Sequence, residues 1–138
     1  MTDLQRTLVL LKPDAVRRGL AGAVLARYEA KGLAIVAMDL RHADAAMADR
    51  HYADHVEQPW YPGLRDFFTS GPLVALVLEG PTVIEVVRQM NGATNSAVAT
   101  PGTIRGDYSV SNRENLVHAS DSEESAAREI ALWFPNLA

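Results

Sequence analysis

One histidine, His118, sits in the run Asn115-Leu116-Val117-His118-Ala119-Ser120-Asp121-Ser122, at the end of a short apolar strand and directly before a helix start. The chain has no cysteine, and no serine or threonine occupies a nucleophile-elbow sequence. A positioned imidazole is therefore the leading candidate for covalent chemistry. Its unperturbed pKa of about 6.5 leaves it largely neutral at working pH, with a lone pair to offer. The same pattern also suits a histidine that merely satisfies a structural hydrogen bond, so its company must decide.

That company has to be positioned by one domain, residues 1–138, long enough to bury a core without staples. A hydrophobic share of 48% and a charged share of 22% are those of an ordinary soluble globular protein. Without cysteine there are no disulfides and no zinc–thiolate site. The start, Met1-Thr2-Asp3-Leu4-Gln5-Arg6, lacks a signal pattern, and no apolar run approaches the roughly 18 residues of a membrane span; the cytoplasm is the expected location. A net charge of −4 argues against general nucleic-acid binding, yet it permits a local cationic pocket. Only Lys12 and Lys31 are lysines among the 13 basic residues. Arginine suits bidentate phosphate recognition, although genome composition accounts for the bias equally well.

Period and punctuation give the elements. Residues 5–12 read as a strand stopped by Pro13, and 20–31 as a helix closed by Gly32. Residues 33–41 read as a strand apolar on both faces; buried core and an edge covered by a partner both explain it. Asp44 caps a helix over about 45–54, and Pro59 and Pro62 open a second helical stretch ending near Gly71. Residues 73–78 read as the central strand, and Val83, Ile84, Val86, Val87 and Met90 as a helical stripe. A short strand at 115–118 and a helix at 122–134 finish the chain. Apart from the helical pair at 45–70, the order is βαββαβ, the ferredoxin-like α+β plan: an antiparallel four-stranded sheet with helices on one face and a helical hairpin inserted.

Residues 92–114 break the usual loop-length rule. They are rich in small polar residues with Gly92, Pro101, Gly102 and Gly106, show little periodicity, and lead straight back to His118. Long irregular loops in compact domains are mostly functional or disordered. Here the return to His118 makes the loop part of the site.

Over essentially its whole length the chain resembles the nucleoside diphosphate kinases. The resemblance is carried by Leu11-Lys12-Pro13-Asp14-Ala15, His51-Tyr52-Ala53-Asp54-His55, Pro62-Gly63-Leu64, Thr69-Ser70-Gly71-Pro72, Gly92-Ala93-Thr94-Asn95, Pro101 through Asp107, and Asn115 through Ser122, in that order. It implies that a nucleoside triphosphate gives its γ-phosphoryl group to His118 and a nucleoside diphosphate takes it, with ping-pong kinetics and low base specificity. It implies that Lys12, Arg88, Thr94, Arg105 and Asn115 contact phosphates or ribose, and that Trp60 lies against the base. Glu129 would hold the proton on the ring nitrogen that does not attack, with Ser120 beside it, and Tyr52 would bond His118 or a phosphate. A homo-oligomer built from dimers, hexamer or tetramer, is also implied. Phosphoryl transfer asks a protein mainly for in-line positioning and for cations on the migrating charge, which suits this residue set.

Each residue has a plainer reading. Glu129 falls on the inward side of the last helix, where a carboxylate needs a partner, but it can also reach solvent. Ser120 with Glu123 fits the capping box S-x-x-E. Lys12 at a strand end is ordinarily solvated, and Arg88 shares a helix face with Glu85 as a surface ion pair would. Thr94 and Asn115 suit local backbone bonds, and Trp60 and Tyr52 suit a core. His51 and His55 stand at i, i+4, but no third zinc ligand is evident. Magnesium is expected with the nucleotide, held by phosphates and water, with Asp54 and Asp121 the carboxylates that approach it.

The chain also departs from the family pattern. Ala119 stands where glycine is common, which would crowd the site if that backbone needs a positive φ. Arg113-Glu114 stands where Gly-Arg is typical. Two other functions compete: a regulatory nucleotide-binding domain without catalysis, and a phosphohistidine relay domain. The retained Lys12, Arg105, Asn115 and His118 speak against the first, and a strand-borne histidine against the second.

Overall fold

The computed structural model describes residues 4–137. In chain order the elements are β1 (Leu4–Leu11), α1 (Pro13–Arg17), α2 (Ala21–Ala30), β2 (Ala34–Arg41), α3 (Ala45–His51), α4 (Tyr61–Phe68), β3 (Leu73–Pro81), α5 (Val83–Asn91), α6 (Ile104–Tyr108), β4 (Val117–Ala119) and α7 (Glu123–Trp133), with a 3₁₀ turn at Ser96–Val98 before α6. The sheet order is β2-β3-β1-β4, antiparallel throughout, as expected of a ferredoxin-like α+β fold.

Leu8–Leu11 of β1 and Leu73–Leu78 of β3 are continuously apolar because both faces of the sheet are covered there. Val9, Leu11, Val74, Leu76 and Leu78 pack with Val24 and Tyr28 of α2 and Val83 and Val87 of α5. On the other face Leu8, Leu10, Ala75 and Val77 pack with Ala48 of α3, Phe68 of α4 and Trp133 of α7. The expectation of helices on one face is therefore corrected: the inserted hairpin and the last helix form a second layer. Continuous apolar runs, rather than alternation, are the mark of a strand buried twice.

Further differences from the sequence-based expectations concern the site and one sheet edge. Pro13 ends β1, but it also occupies the first turn of a helix the sequence reading missed, where its absent N–H costs nothing. Residues 92–114 are not structureless; they contain the 3₁₀ turn and α6, capped by Thr103, whose hydroxyl accepts from the Gly106 N–H. His118 lies in the middle of β4, opposite Leu10, rather than at a strand end. Strand β2 is an edge strand, not a buried one, and leaves Met38 55% and Leu40 64% exposed.

Candidate active site

The approach to His118 begins with a strained turn. Leu116 has φ +74, a left-handed value that a bulky residue rarely adopts. The Val117 N–H donates to the Asn115 carbonyl at 2.8 Å, closing a γ-turn about Leu116. Two contacts from the far end of the chain hold it: the Leu116 N–H donates to Asp14 Oδ2 at 3.0 Å, and the Lys12 N–H donates to the Leu116 carbonyl at 2.8 Å. Asp14 is thus a site residue that sequence reasoning left without a role. Its only signal was membership of the Leu11–Ala15 block.

The turn sends the Asn115 side chain back toward the end of β1. Lys12 Nζ donates to Asn115 Oδ1 at 2.9 Å, and Asn115 Nδ2 donates to the carbonyls of Thr94 (2.9 Å) and Asn112 (3.1 Å). Lys12 is only 7% exposed. Burial pushes its ammonium down to about 8, Arg105 adds to that, and Asp14 opposes it. Arg105 is a cross-tie as well as a cation. Its Nε, Nη1 and Nη2 donate to the carbonyls of Asn115, Gly92 and Val117 at 3.1, 2.7 and 2.6 Å. Three donors of a five-donor fork are so used, and two remain for a ligand.

His118 Nε2 lies 2.9 Å from Glu129 Oε1. Burial raises the Glu129 carboxyl, but hydrogen bonds and charge from His118, followed by Ser120 and Arg128, outweigh it, so it is held below its ordinary value and is ionised. An ionised carboxylate only accepts, so Nε2 carries the proton and Nδ1 keeps a lone pair. Ser120 Oγ donates to the same oxygen at 2.8 Å and accepts from the Leu8 N–H at 3.2 Å. The capping-box reading of Ser120 is corrected: Ser122 caps α7, its hydroxyl accepting from the Ser125 N–H.

His51 does not pair with His55. Its ring packs edge-on against His118, centroids 4.6 Å apart, while its Nδ1 accepts from the Trp133 indole N–H at 3.1 Å. Burial, then the neighbouring His118, holds it well below the usual histidine range, so it backs the His118 ring as a neutral group. His55 instead faces Trp60, centroids 5.3 Å apart.

These groups open on one cleft of about 1260 Å³, and every expected site residue except Ser120 lines it; Ser120 is buried behind Glu129. Trp60, 47% exposed, is part of the wall formed by the hairpin, and Arg88 projects from α5 without the ion pair to Glu85 that the plainer reading required. Thr94 contributes its carbonyl to Asn115. The Tyr52 ring stands edge-on to Phe68, and its hydroxyl makes no bond to His118 among the described residues. Asp121 is held below its ordinary value chiefly by the Ser125 hydroxyl, and Asp54 is exposed.

A family model for nucleoside diphosphate kinases matches residues 5–138. The chain belongs to the nucleoside diphosphate kinase family. It is 71% identical over 132 residues to a nucleoside diphosphate kinase of Nocardioides sp., covering 96% of this chain and 98% of that protein. It is 63% identical over 131 residues to one of Rhodopirellula baltica, covering 95% and 86%. The solved nucleoside diphosphate kinase of Halobacterium salinarum, in complex with CDP, superposes with a TM-score of 0.94 at 46% identity, covering 97% of this chain and 90% of that one. Membership makes the chain a phosphotransferase acting on nucleotides.

Against the family pattern, Ala119 carries no strain: among the described non-glycine residues only Thr82 and Leu116 have positive φ. Glu114 turns away from the cleft toward Arg17, at 3.8 Å, while Arg113 turns into it.

Proposed function

We propose that this nucleoside diphosphate kinase works through a phosphohistidine on His118. The observation that carries the reading is the commitment of Nε2 to Glu129, which leaves Nδ1 as the one basic nitrogen of that ring, in a cleft with Lys12, Arg88 and Arg105. The Nδ1 lone pair attacks the γ-phosphorus of a nucleoside triphosphate, the bond from phosphorus to the bridging oxygen breaks, and the diphosphate leaves. A second nucleoside diphosphate then attacks the phosphohistidine through its terminal oxygen, restoring neutral His118. The proton stays on Nε2 throughout, donated to the Glu129 carboxylate, which stabilises the positive charge on the phosphorylated ring. Lys12 and the two free donors of Arg105 act on the charge gathering on the transferred group, and Arg88, Thr94 and Asn115 hold phosphates or ribose.

Trp60 gives the base a stacking surface without reading its edge, hence low base specificity. Tyr52 positions the ring pair from the hairpin. Asp54 and Asp121 line the same cleft and would approach a magnesium ion carried by the nucleotide, whose charge would offset that of the phosphates. The one group of three potential ligands among the described residues, His51, His118 and Glu129, has donor atoms within 4.8 Å of one another, but its two nitrogens do not suit that ion. The chain acts as one domain, in the cytoplasm where nucleotides are exchanged. A homo-oligomer, hexamer or tetramer of dimers, is supported by the exposed Met38 and Leu40 on the open edge of β2.

Incubation with γ-labelled ATP should give an acid-labile, base-stable phosphoprotein, and His118→Ala should lose both label and turnover. A labelled His118→Ala protein would move the nucleophile elsewhere.

A further inference from the structure

We propose that Arg113 is a nucleotide-contacting residue, a guanidinium that closes over the base at the cleft mouth. The inference rests on the kinase reading above and goes beyond it, because the family pattern has glycine at this position.

The mouth has two walls. One is α4, where Trp60, Gly63 and Leu64 fall on one face by their three- and four-residue spacing, and Trp60 and Leu64 line the cleft. The other is the loop before β4, from which Asn112 and Arg113 line the same cleft. The Arg113 guanidinium spans the gap. A Cβ built on Gly63 would lie 2.7 Å from Nη1 and 3.0 Å from Nη2, so the cation rests on bare helix backbone one turn from Trp60. A side chain at 63 would make the guanidinium move from this seat.

Its root is fixed while its head is not engaged. Ser111 Oγ accepts from the N–H groups of both Arg113 (3.2 Å) and Glu114 (3.0 Å), which sets the two side chains on opposite sides of the loop. Glu114 takes the outward side. Among the described residues the Arg113 guanidinium has no hydrogen bond or ion pair, so its five N–H donors and the face turned away from Gly63 are unclaimed. A base stacked on Trp60 would supply what it lacks: ring nitrogens and carbonyls for the donors, or a π-face for the plane. The phosphate end of the cleft already has Lys12, Arg88 and Arg105, so Arg113 serves the nucleoside end.

The test measures binding of ADP, and of ribose 5-diphosphate by competition, to wild type, Arg113→Ala, Gly63→Ala and the double variant. Arg113→Ala should weaken ADP about fivefold, the range of an exposed cation–π or edge contact, and leave ribose 5-diphosphate unchanged. Gly63→Ala displaces the guanidinium and should reproduce that loss, and the double variant should bind no worse than Arg113→Ala. Equal weakening of both ligands would make Arg113 a phosphate contact and overturn the proposal, as would unchanged ADP affinity. Turnover by the wild-type enzyme, run alongside, reports separately on the kinase reading.

Discussion

Replacing Lys12 by methionine should make the free protein more stable while destroying its grip on nucleotides. The ammonium is buried to 7% exposure, and its pKa falls from 10.5 to about 8 in the fold. At roughly 1.4 kcal/mol per tenfold in proton affinity, keeping it charged at pH 7 costs about 3 kcal/mol. Methionine removes that cost but leaves Asn115 Oδ1 without its donor, worth about 1 kcal/mol, so Lys12→Met should gain about 2 kcal/mol. The pH dependence has a definite sign. Between pH 8 and 10.5 the unfolded chain holds a proton that the folded one has lost, so wild-type stability rises with pH in that window. By pH 9.5 the cost shrinks to about 1 kcal/mol, and the advantage of the variant should nearly vanish. Urea unfolding of both proteins at pH 7 and pH 9.5, at one protein concentration, measures this. Adding ADP should stabilise wild type and leave the variant unmoved. A variant less stable than wild type at pH 7, or a difference that does not change with pH, would refute the picture of a cation held against its own desolvation until phosphate arrives.

Other perturbations test the rest of the site. Glu129→Gln keeps the shape but removes the charge that holds the Nε2 proton, and kcat should drop about a hundredfold with the phosphoprotein still detectable; an unchanged kcat would return Glu129 to a packing role. Trp60→Ala should raise KM for all nucleotides alike by about tenfold, and loss confined to one base would mean a reading pocket instead of a stacking surface. Asp14→Ala leaves the buried Leu116 N–H without an acceptor and should cost about 2 kcal/mol in urea unfolding, together with most of the activity; a stable, active variant would show that the turn holds itself.

Where local pattern carries the information, the sequence could be read correctly. The run Leu73–Leu78 had to be a central strand, and the position of Glu129 between Ala126 and Trp133 placed it inward, where it meets His118. Helices α1 and α6 escaped because each has five residues, too few for a period to show, and because Pro13 reads equally as a stop and as a first-turn residue. Ser120 was ambiguous for a different reason: a hydroxyl near a helix start fits a cap on sequence alone, and only the neighbouring Ser122 and the distant Leu8 N–H settle which serine does what.

Apart from the bond to Glu129, much of the geometry around His118 is unreadable from any window, since the contacts that hold it join residues far apart in the chain. The strained turn at Leu116 depends on Asp14, the ring behind His118 on Trp133, and the Lys12 ammonium on Asn115. Family resemblance named Lys12 and Asn115 as separate ligand contacts, yet their bond to each other shows that they are one device. The amide oxygen of Asn115 accepts from the Lys12 ammonium and so aims that cation, and the strained turn keeps the amide in place. Strain at Leu116 is therefore a means of aiming Asn115. A Leu116→Gly chain, which relaxes φ at the expense of a fully buried side chain, should loosen Lys12 before it loosens His118, because β4 is held to β1 independently through His118 and Leu10.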